Sequence, residues 1–356
     1  MAEVQGQHTE SVYRGLAVKL LCTRFSQHTR RTVIAAIFVA AAILGGAGTG
    51  RAEDTIRLRL DWLPTAYHAP LFYGAKQGFY RAEGINLVIE DGKGTNVALQ
   101  AVAAGNDEIV LASYTTMIQS STAGMDVFGI GGLMQRSPDA IVSLQSNPIN
   151  TPAELVGKTI ATTPGSEIAK LLVAFFKATG LDPSKISVIN TASGLAPAAV
   201  LSGTAQAMTG WSFSDALILN QTKPIAKPIL MADYGINVLG LGFVTTKAYA
   251  TKNSDVLRRF MKATTKSYED GLKHPKDTIA ALVADRPDTA PRAALMEEQL
   301  GLFPQFLHTK RTEEKPFGWT AREDWDQTAQ LLRDYFEMTA QVDVGSLYTN
   351  DFVAKK

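Results

Sequence analysis

Short apolar strands alternate with glycine-ended helices from residue 55 onward, and this alternation constrains the fold more than any other feature. The sequence predicts strands at Ile56–Leu60, Leu87–Glu90, Glu108–Ala112 and Val127–Gly131. Strands that alternate with helices in this way form βαβ units, which build a parallel sheet covered by helices. We therefore expect an α/β protein.

A second series of the same kind begins near residue 150. Thr151-Pro152 is typical of a helix start, because the hydroxyl caps the helix and proline suits its first turn. Strands are predicted at Thr159–Thr162, Ile186–Asn190 and Ala207–Trp211. Since each doubly wound unit closes its own core, the sequence predicts two lobes.

The chain returns to the first lobe after the second series. Val238–Thr245 reads as a strand, and the rest is almost wholly helical, with amphipathic segments at Val256–Leu272 and Trp325–Met338. The expected organisation is a signal peptide with an extended n-region at 1–52, lobe A at 53–143 and 241–356, and lobe B at 144–240. Connecting segments near 140–148 and 236–245 would form a two-segment hinge, with a ligand cleft between the lobes.

The N-terminal segment resembles a secretory signal. Arg30-Arg31 precedes an apolar run, Val33 to Leu44, which is shorter than the ~20 residues a membrane span needs. Small residues lead to an expected cleavage after Ala52, and a transmembrane anchor is the alternative. The arginine pair leaves both the Sec and the twin-arginine routes open. The expected location is the periplasm.

Composition excludes several classes of protein. The only cysteine, Cys22, lies in the predicted signal, so the mature chain has no disulfide framework and no thiolate nucleophile. A net charge of +1 argues against a nucleic-acid partner. Nothing in the sequence indicates an oligomer, and we expect a monomer.

Motifs of catalysis and metal binding are also missing from the mature sequence. Gly157-Lys158-Thr159 resembles the end of a phosphate loop, but Pro152 stands where that loop requires glycine. His68, His274 and His308 have no metal-ligand spacing. We therefore expect no catalytic residues, no metal and no cofactor.

Polar and aromatic residues instead follow the predicted strands. Ligands of open α/β sheets bind beyond the carboxyl ends of the strands, so these positions are the candidate ligand-binding residues. They are Asp61, Trp62, Tyr67, His68, Ser113, Tyr114, Gln135, Gly165, Ser166, Trp211, Ser212 and Tyr234.

This set suits a planar, polar, mostly neutral ring. Aromatic faces stack on such a ring, and hydroxyl and amide groups orient it. The Gly165-Ser166 turn would offer free backbone N–H groups to an anionic or formyl oxygen. The alternative is that each residue is local structure, with Trp62 covering the sheet end and His68 or Ser166 capping a helix.

Four stretches resemble a known family. The pattern D-W-x-P-x-x-x-H in DWLPTAYH, followed by KQGFYRAEGINLVI, is similar to bacterial periplasmic solute-binding proteins of the thiamine-pyrimidine-precursor type, within the sulfonate/nitrate/taurine binder group. NVALQAVAAGNDEIVLAS, NTPAELVGKTIATTPGS and the C-terminal VGSLYTNDFV match further elements of that family. The resemblance covers nearly all of 55–353.

The resemblance implies a two-lobed type II binding fold, with two doubly wound sheets, that closes on a small-molecule ligand. It also implies delivery to an ABC permease with its ATPase subunit, and a ligand such as hydroxymethylpyrimidine or its formylamino precursor. Asp61, Trp62 and His68 match the family's first-loop motif, whereas Thr65 stands where the pattern often has asparagine. An alkylsulfonate, taurine, nitrate or aromatic-acid binder and a secreted pyrimidine-synthesising enzyme are the alternatives, although the enzymes' cysteine-rich motif is missing here.

Overall fold

Residues 53–192 and 194–354 are described by a computed structural model of the chain. The predicted signal peptide, residues 1–52, lies outside the described residues. Along the described ranges, no helix combines the length and the apolar character that crossing a membrane requires.

Ten strands of the described chain form two five-stranded sheets. The strands are β1 (Asp54–Arg59), β2 (Ile85–Glu90), β3 (Ile109–Ser113), β4 (Phe128–Gly132), β5 (Asp139–Ser143), β6 (Thr159–Thr162), β7 (Ser187–Asn190), β8 (Ala207–Trp211), β9 (Ile229–Leu230) and β10 (Leu241–Thr245). The first sheet has the order β2-β1-β3-β10-β4 and the second β7-β6-β8-β5-β9. Two separate sheets confirm the two-lobed α/β fold.

Helices cover both sheets. They are α1 (Ala69–Lys76), α2 (Phe79–Ala82), α3 (Thr95–Ala103), α4 (Tyr114–Thr122), α5 (Glu167–Ala178), α6 (Ala196–Leu201), α7 (Asp215–Asn220), α8 (Lys247–Lys252), α9 (Ser254–Gly271), α10 (Pro275–Asp285), α11 (Ala293–Leu302) and α12 (Arg322–Tyr335). Short 3-10 turns lie between them, at Ala66–His68, Pro152–Leu155, Pro183–Lys185, Met231–Tyr234, Pro287–Arg292, Phe303–Phe306 and Val344–Ser346.

Strand β3 shows how the first sheet is buried on both faces. Ile109 and Leu111 pack into one hydrophobic cluster, and Val110 and Ala112 pack into another on the opposite face. Successive side chains of a strand point to opposite faces, so a strand between two helical layers is apolar at every position. This explains why the strands read as continuous apolar runs.

Both sheets are mixed, whereas the sequence pattern predicts parallel sheets. Strand β10 pairs antiparallel with β3 and β4, and β5 pairs antiparallel with β8. Parallel neighbouring strands need a crossover connection, which is usually a helix. Strands β5 and β10 each enter their sheet directly after the chain crosses from the other lobe, without such a helix, and therefore pair antiparallel.

The first crossing between the sheets lies earlier than expected. Residues 133–138 connect β4 to β5, and residues 231–240 connect β9 to β10. Asp139–Ser143, expected within lobe A and the hinge, is a strand of the second sheet. This strand is only five residues long and directly follows Pro138. It was not predicted from the sequence, because it has no adjoining helical pattern.

The two predicted amphipathic segments are helices α9 and α12, and they pack differently. Helix α9 lies against α1 in the first lobe, whereas α12 contacts both α4 and α5. Trp325 of α12 is fully buried, stacks on Tyr348 at 4.5 Å and donates its indole N–H to Thr320 Oγ1 at 3.0 Å. The C-terminal helix therefore covers both lobes.

Candidate functional site

A cavity of about 460 Å³ lies between the lobes at the end of β1. It adjoins a second cavity of about 250 Å³ in the second lobe, which shares Trp211 and Asp215 with it. Residues of the first cavity come from both lobes: Asp61, Trp62, Leu63, Thr65, Tyr67, Gly94, Thr95, Trp211, Ser214, Asp215, Ile218, Arg292, Leu295, Met296 and Gln299. We call the cavity of about 460 Å³ the cleft. Two larger cavities, each of about 620 Å³, lie at the outer edge strand β2 and behind the hinge, and neither contains Trp62 or Trp211.

The loop after β1 is built around the carboxylate of Asp61. Tyr67 Oη donates to Asp61 Oδ2 at 3.1 Å, and His68 Nε2 lies 2.9 Å from Asp61 Oδ1. The backbone N–H of Thr65 donates to His68 Nδ1 at 3.1 Å. Because Nδ1 accepts this bond, the proton of the neutral ring is on Nε2 and points at Asp61.

The buried hydroxyl of Tyr67 is kept protonated by this arrangement. Burial raises the pKa of Tyr67 well above its usual value, and the nearby Asp61 carboxylate raises it further. His68 is fully buried, and both of its ring nitrogens form hydrogen bonds within the loop. His68 therefore holds Asp61 in place. Asp61 in turn is 8% exposed and lines the cleft.

The turn at Gly92-Lys93-Gly94 forms hydrogen bonds with the backbone of the loop after β1. Gly92 donates its backbone N–H to Trp62 O at 3.1 Å, and Gly94 donates to Asp61 O at 2.8 Å. A Cβ at Gly92 would lie 2.1 Å from Leu60 O, so only glycine permits this approach. The Gly92-Lys93-Gly94 turn therefore fixes the backbone of Asp61 and Trp62.

Aromatic side chains from both lobes meet in the cleft. Tyr67 of the first lobe lies 6.1 Å from Trp211 of the second, measured between ring centroids. Trp211 stacks on Phe213 at 5.7 Å. Trp62 is 55% exposed although it lines the cleft, so its ring face is available to a ligand.

Three carboxyl groups lie near one another in the second lobe, and of these Asp215 lines the cleft. Asp139 lies opposite Trp211 across the β5–β8 pair and accepts from Ser137 Oγ at 2.5 Å. Glu167 accepts from Thr115 Oγ1 at 2.6 Å. Asp215 accepts from the backbone N–H of Trp211 at 2.7 Å. We call Asp139, Glu167 and Asp215 the carboxyl wall.

Burial raises the pKa of every member of the carboxyl wall. The pKa of Asp139 rises to about 6, because burial and the Asp215 charge outweigh hydrogen bonds from Ser137 and Trp211. The pKa of Glu167 rises to about 7, mainly through burial and then through the charge of Asp139. The pKa of Asp215 is also raised, by burial. The wall therefore favours protonation, or a ligand that donates hydrogen bonds or carries positive charge.

The structure brings part of the predicted set together. Asp61, Trp62, Tyr67 and Trp211 line the cleft, and Ser166 lines the adjoining cavity. Ser113 Oγ lies 2.6 Å from Thr115 Oγ1, next to Glu167.

Two of the predicted ligand-binding residues have buried polar atoms without a partner among the described residues. They are the side-chain amide of Gln135 and the hydroxyl of Ser212. Ser212 nevertheless donates its backbone N–H to Pro138 O at 3.0 Å. Both residues therefore lie at the lobe connection.

Other predicted residues lie away from the cleft. Tyr114 is 1% exposed and donates its hydroxyl to Gly131 O at 2.7 Å, within the core. Tyr234 packs edge-on against Phe175 at 5.4 Å. The side chain of Tyr114 therefore belongs to the hydrophobic core, whereas Tyr234 is an exposed residue outside the cleft.

The Gly165-Ser166 turn differs from the expectation of free N–H groups. The Ser166 N–H donates to Thr163 O at 3.3 Å, while Ser166 Oγ accepts from the N–H of Ala169 and so caps α5. Gly165 is exposed with φ of +75°. Because the Glu167 carboxyl already occupies this helix end, the turn is poorly suited to an anion.

The carboxyl wall and the glycine turn were missed as site elements by sequence reasoning. Glu167 could have been found, because it follows a capping serine at the carboxyl end of β6. Asp139 stands at the beginning of a strand that the sequence pattern did not reveal. Among the described residues, no group of acidic or histidine side chains is arranged to hold a metal ion.

Comparisons with known proteins identify the family and the relatives of the chain. The model of the family described as NMT1/THI5 like matches residues 65–278, more than half of the chain. The chain is 23% identical over 312 residues to the formylaminopyrimidine-binding protein of Halalkalibacterium halodurans, covering 84% of this chain and 91% of the relative. It is 25% identical over 351 residues to the riboflavin-binding protein RibY of Chloroflexus aurantiacus, covering 95% and 96%.

A solved structure gives the same fold. The periplasmic aliphatic sulphonate binding protein of Escherichia coli superimposes with a TM-score of 0.65 at 17% identity, covering 84% of this chain and 99% of that chain. At this identity the likeness concerns the two-lobed fold. Together with the match of the family model, these features show that the chain belongs to the NMT1/THI5-like family.

Proposed function

We propose that the chain is the substrate-binding component of an ABC importer and captures a small planar heterocycle, a pyrimidine precursor of thiamine, by closure of its lobes. The observation that carries this proposal is the cleft itself, which Trp62 and Trp211 line from opposite lobes together with the polar side chains of Asp61, Asp215 and Gln299. Aromatic walls with a few oriented polar groups are typical of sites for planar ligands.

The chemistry of the cleft fits an aminopyrimidine. Trp62 and Trp211 offer ring faces, and each such stacking contact contributes about 0.5–1.5 kcal/mol beyond burial. Asp61 and Asp215 offer carboxyl oxygens, which accept hydrogen bonds from an exocyclic amino group. The relative from Halalkalibacterium halodurans is named for binding formylaminopyrimidine, which supports this ligand class.

The carboxyl wall argues against an anionic ligand such as an alkylsulfonate. Asp139 and Glu167 have raised pKa values because burial and mutual repulsion already disfavour negative charge there. Of the charged side chains that line the cleft, Asp61 and Asp215 are carboxyls and Arg292 is a cation, so carboxyls outnumber cations where a sulfonate would lie. The fold is shared with a sulphonate-binding protein, but this balance of charge favours a neutral ligand over an anion.

A binder is also favoured over an enzyme. Two relatives that cover more than four-fifths of this chain are named as binding proteins. The mature sequence has no cysteine to supply the motif of the pyrimidine-synthesising enzymes. The alternative predicts turnover, which mass spectrometry of the chain incubated with the pyrimidines would detect as a new product.

The proposal includes export and partners. Residues 1–52 would be removed as a signal peptide, through the Sec or the twin-arginine route, and the mature monomer would act in the periplasm with a permease and its ATPase subunit. We propose lobe A as 53–138 with 241–356, and lobe B as 139–240, because β5 pairs in the second sheet.

Titration calorimetry tests the ligand. Formylaminopyrimidine and hydroxymethylpyrimidine should give saturable heat with one site, whereas an alkylsulfonate of similar size should give none. Saturable heat with the sulfonate alone would contradict the pyrimidine assignment. Native mass spectrometry of the purified chain gives an independent result, because a retained ligand would appear as added mass.

A further inference from the structure

A hydrogen bond joins the two lobes beside the cleft. Thr115, in the first turn of α4, donates its hydroxyl to Glu167 Oε2 at 2.6 Å. Ser113, the last residue of β3, has its hydroxyl 2.6 Å from that of Thr115. Glu167 is the first residue of α5, in the second lobe. The Glu167 carboxyl therefore has a hydrogen-bond partner in the other lobe.

The charges around this carboxyl are mostly of its own sign. The charge of Asp139 in β5 acts on Glu167, and the charge of Asp215 acts on Asp139 in turn. Lys170, one turn along α5, is the cation whose charge acts on Glu167. Burial is the largest influence, and with Asp139 it outweighs Lys170 and the hydroxyls, so the pKa of Glu167 rises to about 7.

We propose that Glu167 is a positioning residue that holds the lobes together through Thr115 and takes up a proton as they close. A neutral carboxyl still accepts the Thr115 hydroxyl bond, while it removes a buried negative charge from beside Asp139. The inference rests on the proposed function in one respect only, since it requires the lobes to open and close.

The direction of the pH dependence follows from linkage. In the open form Glu167 faces water, where its usual pKa of 4.5 applies, and in the closed form the pKa is about 7. Between these values the closed form binds more protons, so closure is favoured at low pH and weakens as the pH rises. One proton changes the closed-to-open ratio by up to about tenfold per pH unit in this window and by little above it.

Small-angle X-ray scattering of the ligand-free chain tests the proposal. The radius of gyration should increase from pH 5 to pH 8. Glu167→Gln, which keeps an oxygen acceptor but cannot ionise, should stay compact at both pH values. Thr115→Val, which removes the hydroxyl and keeps the shape, should be more expanded than the unchanged chain at pH 5.

A matched control separates this carboxyl from general charge effects. Glu269 is exposed on α9, so Glu269→Gln should reproduce the unchanged chain at both pH values. A radius of gyration that is the same at pH 5 and pH 8 would overturn the proposal, and so would a Glu167→Gln variant that still expands. Because no ligand is added, these outcomes are independent of which compound the cleft binds.

Discussion

The side-chain oxygen of Asn237 accepts a hydrogen bond of 2.7 Å from the backbone N–H of Ser137, so one lobe crossing holds the other. The amide nitrogen of Asn237 completes the bridge by donating to Gln135 O at 3.1 Å. Both partners lie in the 133–138 crossing, whereas Asn237 lies in the 231–240 crossing. Asn237 therefore helps to fix the spacing of the hinge, together with the Gly240 N–H bond to Met134 O at 2.8 Å and the ion pair of Arg136 with Asp233.

Replacing Asn237 should loosen the hinge and destabilise the protein. Asn237→Ala removes both hydrogen bonds and leaves a part-buried N–H and C=O without their partner, which costs about 1–3 kcal/mol of unfolding free energy. Urea denaturation measures this loss. The control is Asn86→Ala, because Asn86 makes only an exposed contact of 3.4 Å with Thr55, and its change should stay within about 0.5 kcal/mol. Equal effects of the two substitutions would contradict the bridging role.

Trp62 should contribute directly to ligand affinity. Trp62→Ala removes an exposed ring face from the cleft, so formylaminopyrimidine should bind about tenfold more weakly, which corresponds to about 1.4 kcal/mol. Calorimetry measures the change. Tyr234→Ala is the matched control, because Tyr234 is an exposed aromatic residue that packs on Phe175 outside the cleft. An affinity that responds to Tyr234 and not to Trp62 would reverse this assignment.

His68 should matter for the shape of the loop before any ligand binds. His68→Leu removes both the donor to Asp61 and the acceptor for the Thr65 N–H. We expect a loss of about 1–3 kcal/mol in stability of the ligand-free protein. Thermal denaturation without ligand is the measurement, and an unchanged midpoint would mean that His68 does not support the loop.

Gly92 should tolerate no side chain. Gly92→Ala would place Cβ against the backbone oxygen of Leu60, so the loop that carries Asp61 and Trp62 must shift. The expected cost is more than about 1 kcal/mol, with weaker ligand binding. Gly301→Ala is the control, because the helix α11 has open space at Gly301, and the change should stabilise by about 0.5–1 kcal/mol. Similar behaviour of both variants would show that the turn is not constrained.

The first loop was predictable from the sequence, because its signals are local. DWLPTAYH ends a strand and starts a helix, and this alone places Asp61 and Trp62 at a ligand-facing edge. The same rule does not tell which side chains turn inward. His68 and Tyr114 are buried, since tertiary packing decides the direction of a side chain that a strand end only positions.

Glu167 alone could have been found from the sequence, but the assembly of the carboxyl wall was not predictable, because its members come from distant parts of the chain. Asp139, Glu167 and Asp215 come from three elements, and only the pairing of β5 with β8 brings Asp139 opposite Trp211. An antiparallel strand that enters directly from the other lobe has no βαβ signature. The position of the lobe boundary and the place of Asp139 in the carboxyl wall therefore have the same explanation, which is that β5 has no signal in the sequence.

The position of β10 determines the order in which the lobes can be completed. Strand β10 lies between β3 and β4, although it follows the whole second sheet in the chain. As the polypeptide emerges, residues 139–230 can form their own sheet while the first sheet still lacks the strand that joins β3 to β4. Contacts between distant segments form slowly, so the lobe that begins the described chain is the last to finish folding.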